Sequence, residues 1–152
     1  MQNYAGPDRS QLCLLLMSKS TRLASATYIL SCVAARGPDL VTTDEIARKI
    51  EDHPARVRQL VAALVKAGLV ESVRGANGGI RLARAAEDID LRQIYDAVAD
   101  QPLVSIAWKE PVPNWANRCH VHPNFERLHD TIHERALDQL GTYRLSDMLG
   151  RA

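Results

Sequence analysis

Apolar residues recur along this chain at two periods, and the switch between them lays out the fold. Over residues 20–35, Leu23, Ala26, Thr27, Leu30 and Ala34 fall near one face of a helix that Gly37-Pro38 stops. TTDEIARKI predicts a second helix: Thr42 or Thr43 can cap it, acids fill its first turn, and Ile46, Ala47 and Ile50 supply a buried face. The linker EDHP follows, with Pro54 well placed for the first turn of a third helix over residues 54–67. Val57, Leu60, Val61, Leu64 and Val65 make its inner stripe, leaving Arg56, Arg58, Gln59 and Lys66 largely outside. Beyond Gly68 the period drops to two. LVESV and IRLA alternate as paired strands around the turn RGANGG, where Asn77-Gly78 favours the positive φ of a tight hairpin tip. The order predicts a winged helix-turn-helix, mainly α with one small β-hairpin.

AAEDIDLRQIYDAVAD continues as a short helix that packs through Ile89, Leu91, Ile94, Tyr95 and Val98. Pro102 to Pro123 holds four prolines and both tryptophans, and reads as a long loop. From Asn124 to Gly141, Phe125, Leu128, Ile132, Ala136 and Leu140 return at helical spacing. One apolar stripe on a charged helix needs cover, from a twofold mate or from the chain's own first helix. The expected divisions are a flexible leader (1–18), the winged module (19–100), a sensor-type loop (101–122), a dimerisation helix (123–141) and a C-terminal tail (142–152). LCLLLM at 12–17 is too short to span a membrane, and no convincing cleavage motif follows it. Met17 is an ordinary start, so residues 1–16 read as an upstream extension.

The formal net charge of +1 hides a local excess: His53 to Arg84 carries six Arg and Lys against one acid, Glu71. Such a stretch suits a polyanion. Three cysteines without short spacing argue against a disulfide framework and for a reduced, cytoplasmic setting. No nucleophile, base and orienting group occur together, so an enzyme is not expected. GANGG lacks both a Walker lysine and the GxGxxG spacing. In a helix-turn-helix the second helix enters the major groove, which brings forward His53, Arg56, Arg58 and Gln59. Arg58 can pair with guanine and Gln59 with adenine, while His53 serves either as a helix cap or as a base reader. Thr42 and Thr43 are candidates for phosphate contact, and Arg74 and Asn77 for the minor groove. Gly75, Gly78 and Gly79 let the backbone come close. A protein-interaction module is the competing class, although it would not require basic groups on both helix and wing.

TTDEIARKI followed by HPARVRQLVAALVKAGLVESVRGANGGIRLAR resembles the Rrf2 family of winged-helix transcription regulators, over about residues 20 to 149. The resemblance implies a homodimeric, sequence-specific DNA-binding protein, a repressor on a palindromic double-stranded operator, with residues 123–141 crossing between subunits and no membrane partner. It places base discrimination at Arg58 and the wing arginine at Arg74. Ile80 stands where the family usually has tyrosine. Cluster-binding members carry three loop cysteines; Cys119 and His122 resemble the last cysteine and its histidine, but Ala107 and Pro113 occupy the earlier positions. Neither can ligate iron, so no iron–sulfur cofactor of the family type is expected.

Cys119 lies among Arg118, His120 and His122, cations that favour a thiolate and hence an oxidant response. Cys119 and His122 alone are too few for a closed metal site. Trp108 and Trp115 either bind a small apolar effector or cover the dimer helix. His129 and His133 share a helix face and read as solvated side chains.

Overall fold

The computed structural model describes residues 21–75, 77–104, 114 and 121–150. Its helices are α1 (Thr21–Ala35), α2 (Thr43–Lys49), α3 (Pro54–Lys66), α4 (Leu91–Val98), α5 (Val121–Gly141) and α6 (Leu145–Met148). Strands β1 (Val70–Val73) and β2 (Gly79–Leu82) form an antiparallel hairpin, followed by a 3-10 turn at Ala86–Asp88. The leader, Trp108, Trp115 and Cys119 lie outside the described residues; His122 belongs to α5 by its backbone.

The central element is α1, which meets α3, α4, β2 and α6. Being packed on several sides, it buries Ala26, Ile29, Leu30 and Val33 rather than the narrower stripe expected; Leu23, Thr27 and Ala34 are only partly covered. Ile46 and Ala47 of α2 are buried and Ile50 half-buried. In α3, Val57, Leu60, Val61 and Leu64 close the core, at the i, i+3, i+4, i+7 spacing of one helix face. Val65 lies past the edge of that stripe and is exposed, against expectation.

β1 and β2 pair Val70 with Leu82, Glu71 with Arg81, Ser72 with Ile80, and Val73 with Gly79. Glu71 accepts two hydrogen bonds from Arg81, at 3.0 and 2.9 Å, across the exposed face of the hairpin. Val41 adds an isolated bridge to Ile80, exchanging N–H···O bonds of 3.1 and 2.9 Å. The base of the wing is thereby fixed to the segment that enters α2.

Positive φ at the hairpin tip falls on Gly75 (+121°), not on Asn77 or Gly78 as expected. Gly78 has a different reason to lack a side chain: a Cβ there would collide with the Val73 carbonyl oxygen. At Gly79 a Cβ would meet the Val41 carbonyl oxygen at 2.8 Å. These two glycines serve close approach of the protein to itself.

α5 begins at Val121, so Pro123 sits inside its first turn instead of ending a loop; a missing N–H there breaks no helical bond. The residues after α5, expected as a tail, are woven into the fold. Leu91 N–H donates to the Tyr143 carbonyl at 3.0 Å, Leu145 N–H to Ile89 at 2.8 Å, and Leu145 itself is fully buried. Arg92 of α4 reaches Asp138 (2.8 Å) and Glu134 (3.6 Å) of α5, bracing the two helices.

Candidate nucleic-acid interface

α2 starts on a reciprocal cap. The Thr42 hydroxyl accepts from Glu45 N–H at 3.2 Å, and Glu45 Oε2 accepts from Thr42 N–H at 2.9 Å and from its hydroxyl at 3.0 Å. The bond from the Thr42 backbone, then that from its hydroxyl, holds the Glu45 carboxyl below the usual glutamate range. Thr43 is the first residue of α2 and half-buried. His53 takes the cap role at α3, its Nδ1 accepting from Ala55 N–H at 3.2 Å. Pro54 follows at the first helical position.

The three polar side chains expected to face outward from the start of α3 divide by partner. Arg56 is tied back to the body: Nη2 donates to Thr21 Oγ1 at 2.6 Å, and Nε lies 3.5 Å from Asp52. Arg58 turns toward α2, where Nη2 donates to Asp44 Oδ1 at 2.9 Å. Gln59 is exposed and has no partner among the described residues.

Ala55, Arg58, Gln59 and Ala62 are all exposed and recur at i, i+3, i+4 and i+7. They form one ridge along α3, opposite Val57, Leu60 and Leu64. The flanking alanines escaped notice in the sequence because neither is charged, although the spacing was there to be read. Their methyl groups leave Arg58 and Gln59 standing above a low surface.

On the hairpin, Arg74 and Asn77 are exposed, and neither has an ion pair or hydrogen bond to any described residue. Lys66 and Arg84 are exposed in the same way. Arg81, by contrast, is neutralised by Glu71 at 2.9 Å. The structure thus presents a ridge on α3 and a cationic hairpin tip, with the hairpin base and α2 strapped together through Val41 and Ile80.

A family model described as Rrf2, iron-dependent transcriptional regulator, matches residues 19–151. The chain belongs to the Rrf2 family. The HTH-type transcriptional regulator IscR of Cereibacter sphaeroides is similar to it, 35% identical over 85 residues, or 56% of this chain and 55% of that one. The Rrf2 chain spans about half the length of this and other curated relatives it matches. Among solved structures, IscR of T. potens is similar with a TM-score of 0.59 and 28% identity, covering 86% of this chain and 84% of that one. CymR, the global cysteine regulator of B. subtilis, shares the fold with a TM-score of 0.60 and 24% identity, over 86% and 94% of the two chains. The C. sphaeroides relative is named a transcriptional regulator, as the family model is.

The family description mentions iron, which makes the donor set of this chain worth testing. A cysteine-held cluster needs several convergent thiolates. The Rrf2 chain has three cysteines in all: Cys13 and Cys119 outside the described residues, and Cys32 on α1, half-buried against the core. Among the described residues no three His, Cys, Asp or Glu side chains gather as a metal site. With Ala107 and Pro113 at the other cysteine positions, the donors present do not fit a three-cysteine cluster.

The histidines of α5 are not the solvated pair expected. His129 Nε2 lies 2.8 Å from the Val104 carbonyl and Nδ1 3.1 Å from Asp130 Oδ1. The hydrogen bond to Asp130, then that to Val104, raises the His129 pKa. His133 stacks on His129 with centroids 6.1 Å apart, and its Nδ1 is enclosed without a partner among the described residues. Tyr95 of α4 meets His133 edge-on, with ring centroids 6.3 Å apart. Among the described residues no helix is long and apolar enough to cross a membrane.

Proposed function

We propose that this protein is a sequence-specific, DNA-binding transcriptional regulator that acts as a homodimer on a palindromic operator. The observation that carries the reading is the α3 ridge of Ala55, Arg58, Gln59 and Ala62, exposed beside a hairpin whose Arg74 has no ion pair among the described residues. A ridge of that kind suits the major groove, with Arg58 addressing guanine and Gln59 adenine. Arg74 and Asn77 suit the adjoining minor groove or its phosphates. Thr42 and Thr43 bring the N-terminus of α2 toward a phosphate, whereas Arg56 and His53 contribute by holding α3 in place.

Dimerisation is supported by α5, where Leu128 and Ile132 are 47% and 40% exposed, four residues apart on one face. Its other side, through His129, His133 and Leu137, is already spent on this chain. Two copies joined along that face would present two ridges to a twofold-symmetric duplex. Repression is the output we propose. For the input we propose redox state or a small effector acting on residues 101–122, because Cys119 sits among Arg118, His120 and His122 there.

The test is selection of bound duplexes from a random pool under reducing conditions, repeated after mild oxidation. A palindromic consensus, weakened by oxidant in wild type but not in Cys119→Ser, is the expected result. Arg58→Ala should lose about 1–3 kcal/mol at one base pair in each half-site. Equal weakening on every duplex would reassign Arg58 to a phosphate, and absence of any consensus would defeat the reading.

A further inference from the structure

Asp44 and Arg58 join the two helices of the helix-turn-helix on its outward side. Their 2.9 Å contact is solvated, with side chains 65% and 58% exposed. A pair this exposed adds little to stability. Nor does α2 need Asp44 for its cap, which Thr42 and Glu45 complete between themselves. The other acids near these arginines have different duties: Glu45 meets Arg36 at 3.1 Å, and Asp52 meets Arg56 at 3.5 Å. Among the described residues, Asp44 is the only acid paired with a side chain of the α3 ridge.

A guanidinium carries five N–H donors in a planar fork. The contact with Asp44 engages Nη2, so the remaining donors stay available to a base edge while the carboxylate fixes the plane. The same carboxylate offsets a charge that would otherwise be drawn to any phosphate. We infer that Asp44 is a positioning residue that determines specificity: it orients the Arg58 fork for one base pair and suppresses its sequence-independent attraction to DNA. Arg74, with no such partner among the described residues, is left to that second task. The inference rests on the DNA-binding reading of α3 given above.

Wild type, Asp44→Asn, Arg58→Ala and the double variant are compared on three duplexes across a salt series. These are the selected operator, the operator changed at its Arg58-dependent base pair, and an unrelated sequence. Melting curves check that each variant folds, and Asp44→Ser replaces Asp44→Asn if that one does not. In wild type the base-pair change should cost up to the roughly 5- to 150-fold expected of a bidentate contact. Asp44→Asn should erode that ratio and bind the unrelated duplex more tightly. Its plot of log K against log salt should steepen by up to about 0.9, the increment for one further phosphate neutralised.

In the Arg58→Ala background, Asp44→Asn should leave the discrimination ratio unmoved, so that any erosion it causes in wild type is carried by Arg58. A general electrostatic or folding effect would instead weaken or strengthen all three duplexes alike and leave the wild-type ratio intact. Wild-type discrimination and slope in Asp44→Asn, with discrimination lost in Arg58→Ala, would overturn the inference and leave the DNA-binding reading intact. Failure of wild type to select any sequence would overturn both.

Discussion

His129 holds two acceptors with one ring, and only the doubly protonated imidazole can donate to both Val104 and Asp130 at once. Its pKa is therefore raised by folding. The sign follows from linkage: the stabilisation is complete below the ordinary histidine value of about 6.5 and is lost as pH rises through the higher folded-state value. Thermal melts from pH 6 upward should show a falling midpoint in wild type and a flatter one in His129→Gln. Parallel curves would assign the contact no role in stability. Neither histidine could be placed from helical spacing alone. A four-residue separation says that two side chains share a face, but not that α4 and Val104 lie against it.

At the scale of elements, the α2 cap gives a prediction with the opposite pH sense. Thr42→Ala should lower stability by about 0.5–2 kcal/mol, read as a reduced urea midpoint at neutral pH. Glu45 is held below the ordinary glutamate pKa of about 4.3, so its contribution is present above that value. It is lost as pH falls through the lower folded-state value, and Glu45→Gln should remove this acid-side dependence. The start of this helix was legible from threonines ahead of first-turn acids, but Thr42 and Thr43 stood as equal candidates; the reciprocal bonds with Glu45 single out Thr42.

The α3 stripe and the alternation of β2 were legible for the same reason: local periodicity states which side is wet. The alternation expected of LVESV is not met, since Leu69 and Val70 are both buried and Val73 is exposed. The hairpin tip was not legible either. An Asn-Gly pair suggests where the chain reverses, but the Val73 carbonyl is what crowds Gly78, and Val41, drawn from far upstream by its bridge to Ile80, is what crowds Gly79. Likewise α1 shows too few periodic positions for a helix packed on several sides. The Asp44 partnership crosses from one helix to the next, beyond any pattern within either.

For the whole molecule, the proposed dimer makes a prediction at the exposed Leu128 and Ile132 of α5. Ile132→Glu should convert a dimer into a monomer by light scattering, retain the helical circular-dichroism signal, and lose most operator affinity. A variant that remains dimeric would move the interface elsewhere. The C-terminal turn was hidden from sequence reading, because Leu145 within a short polar segment gives no hint that bonds to Ile89 and from Leu91 to Tyr143 will hold it.

The Arg92 bracket between α4 and α5 also bears on motion. It links the long helix to the winged module through α4. In the proposed dimer, a slight twist between the two long helices would sweep the reading heads through a much larger arc. A modest chemical event near the pivot could then put both heads out of step with the helical repeat of the duplex.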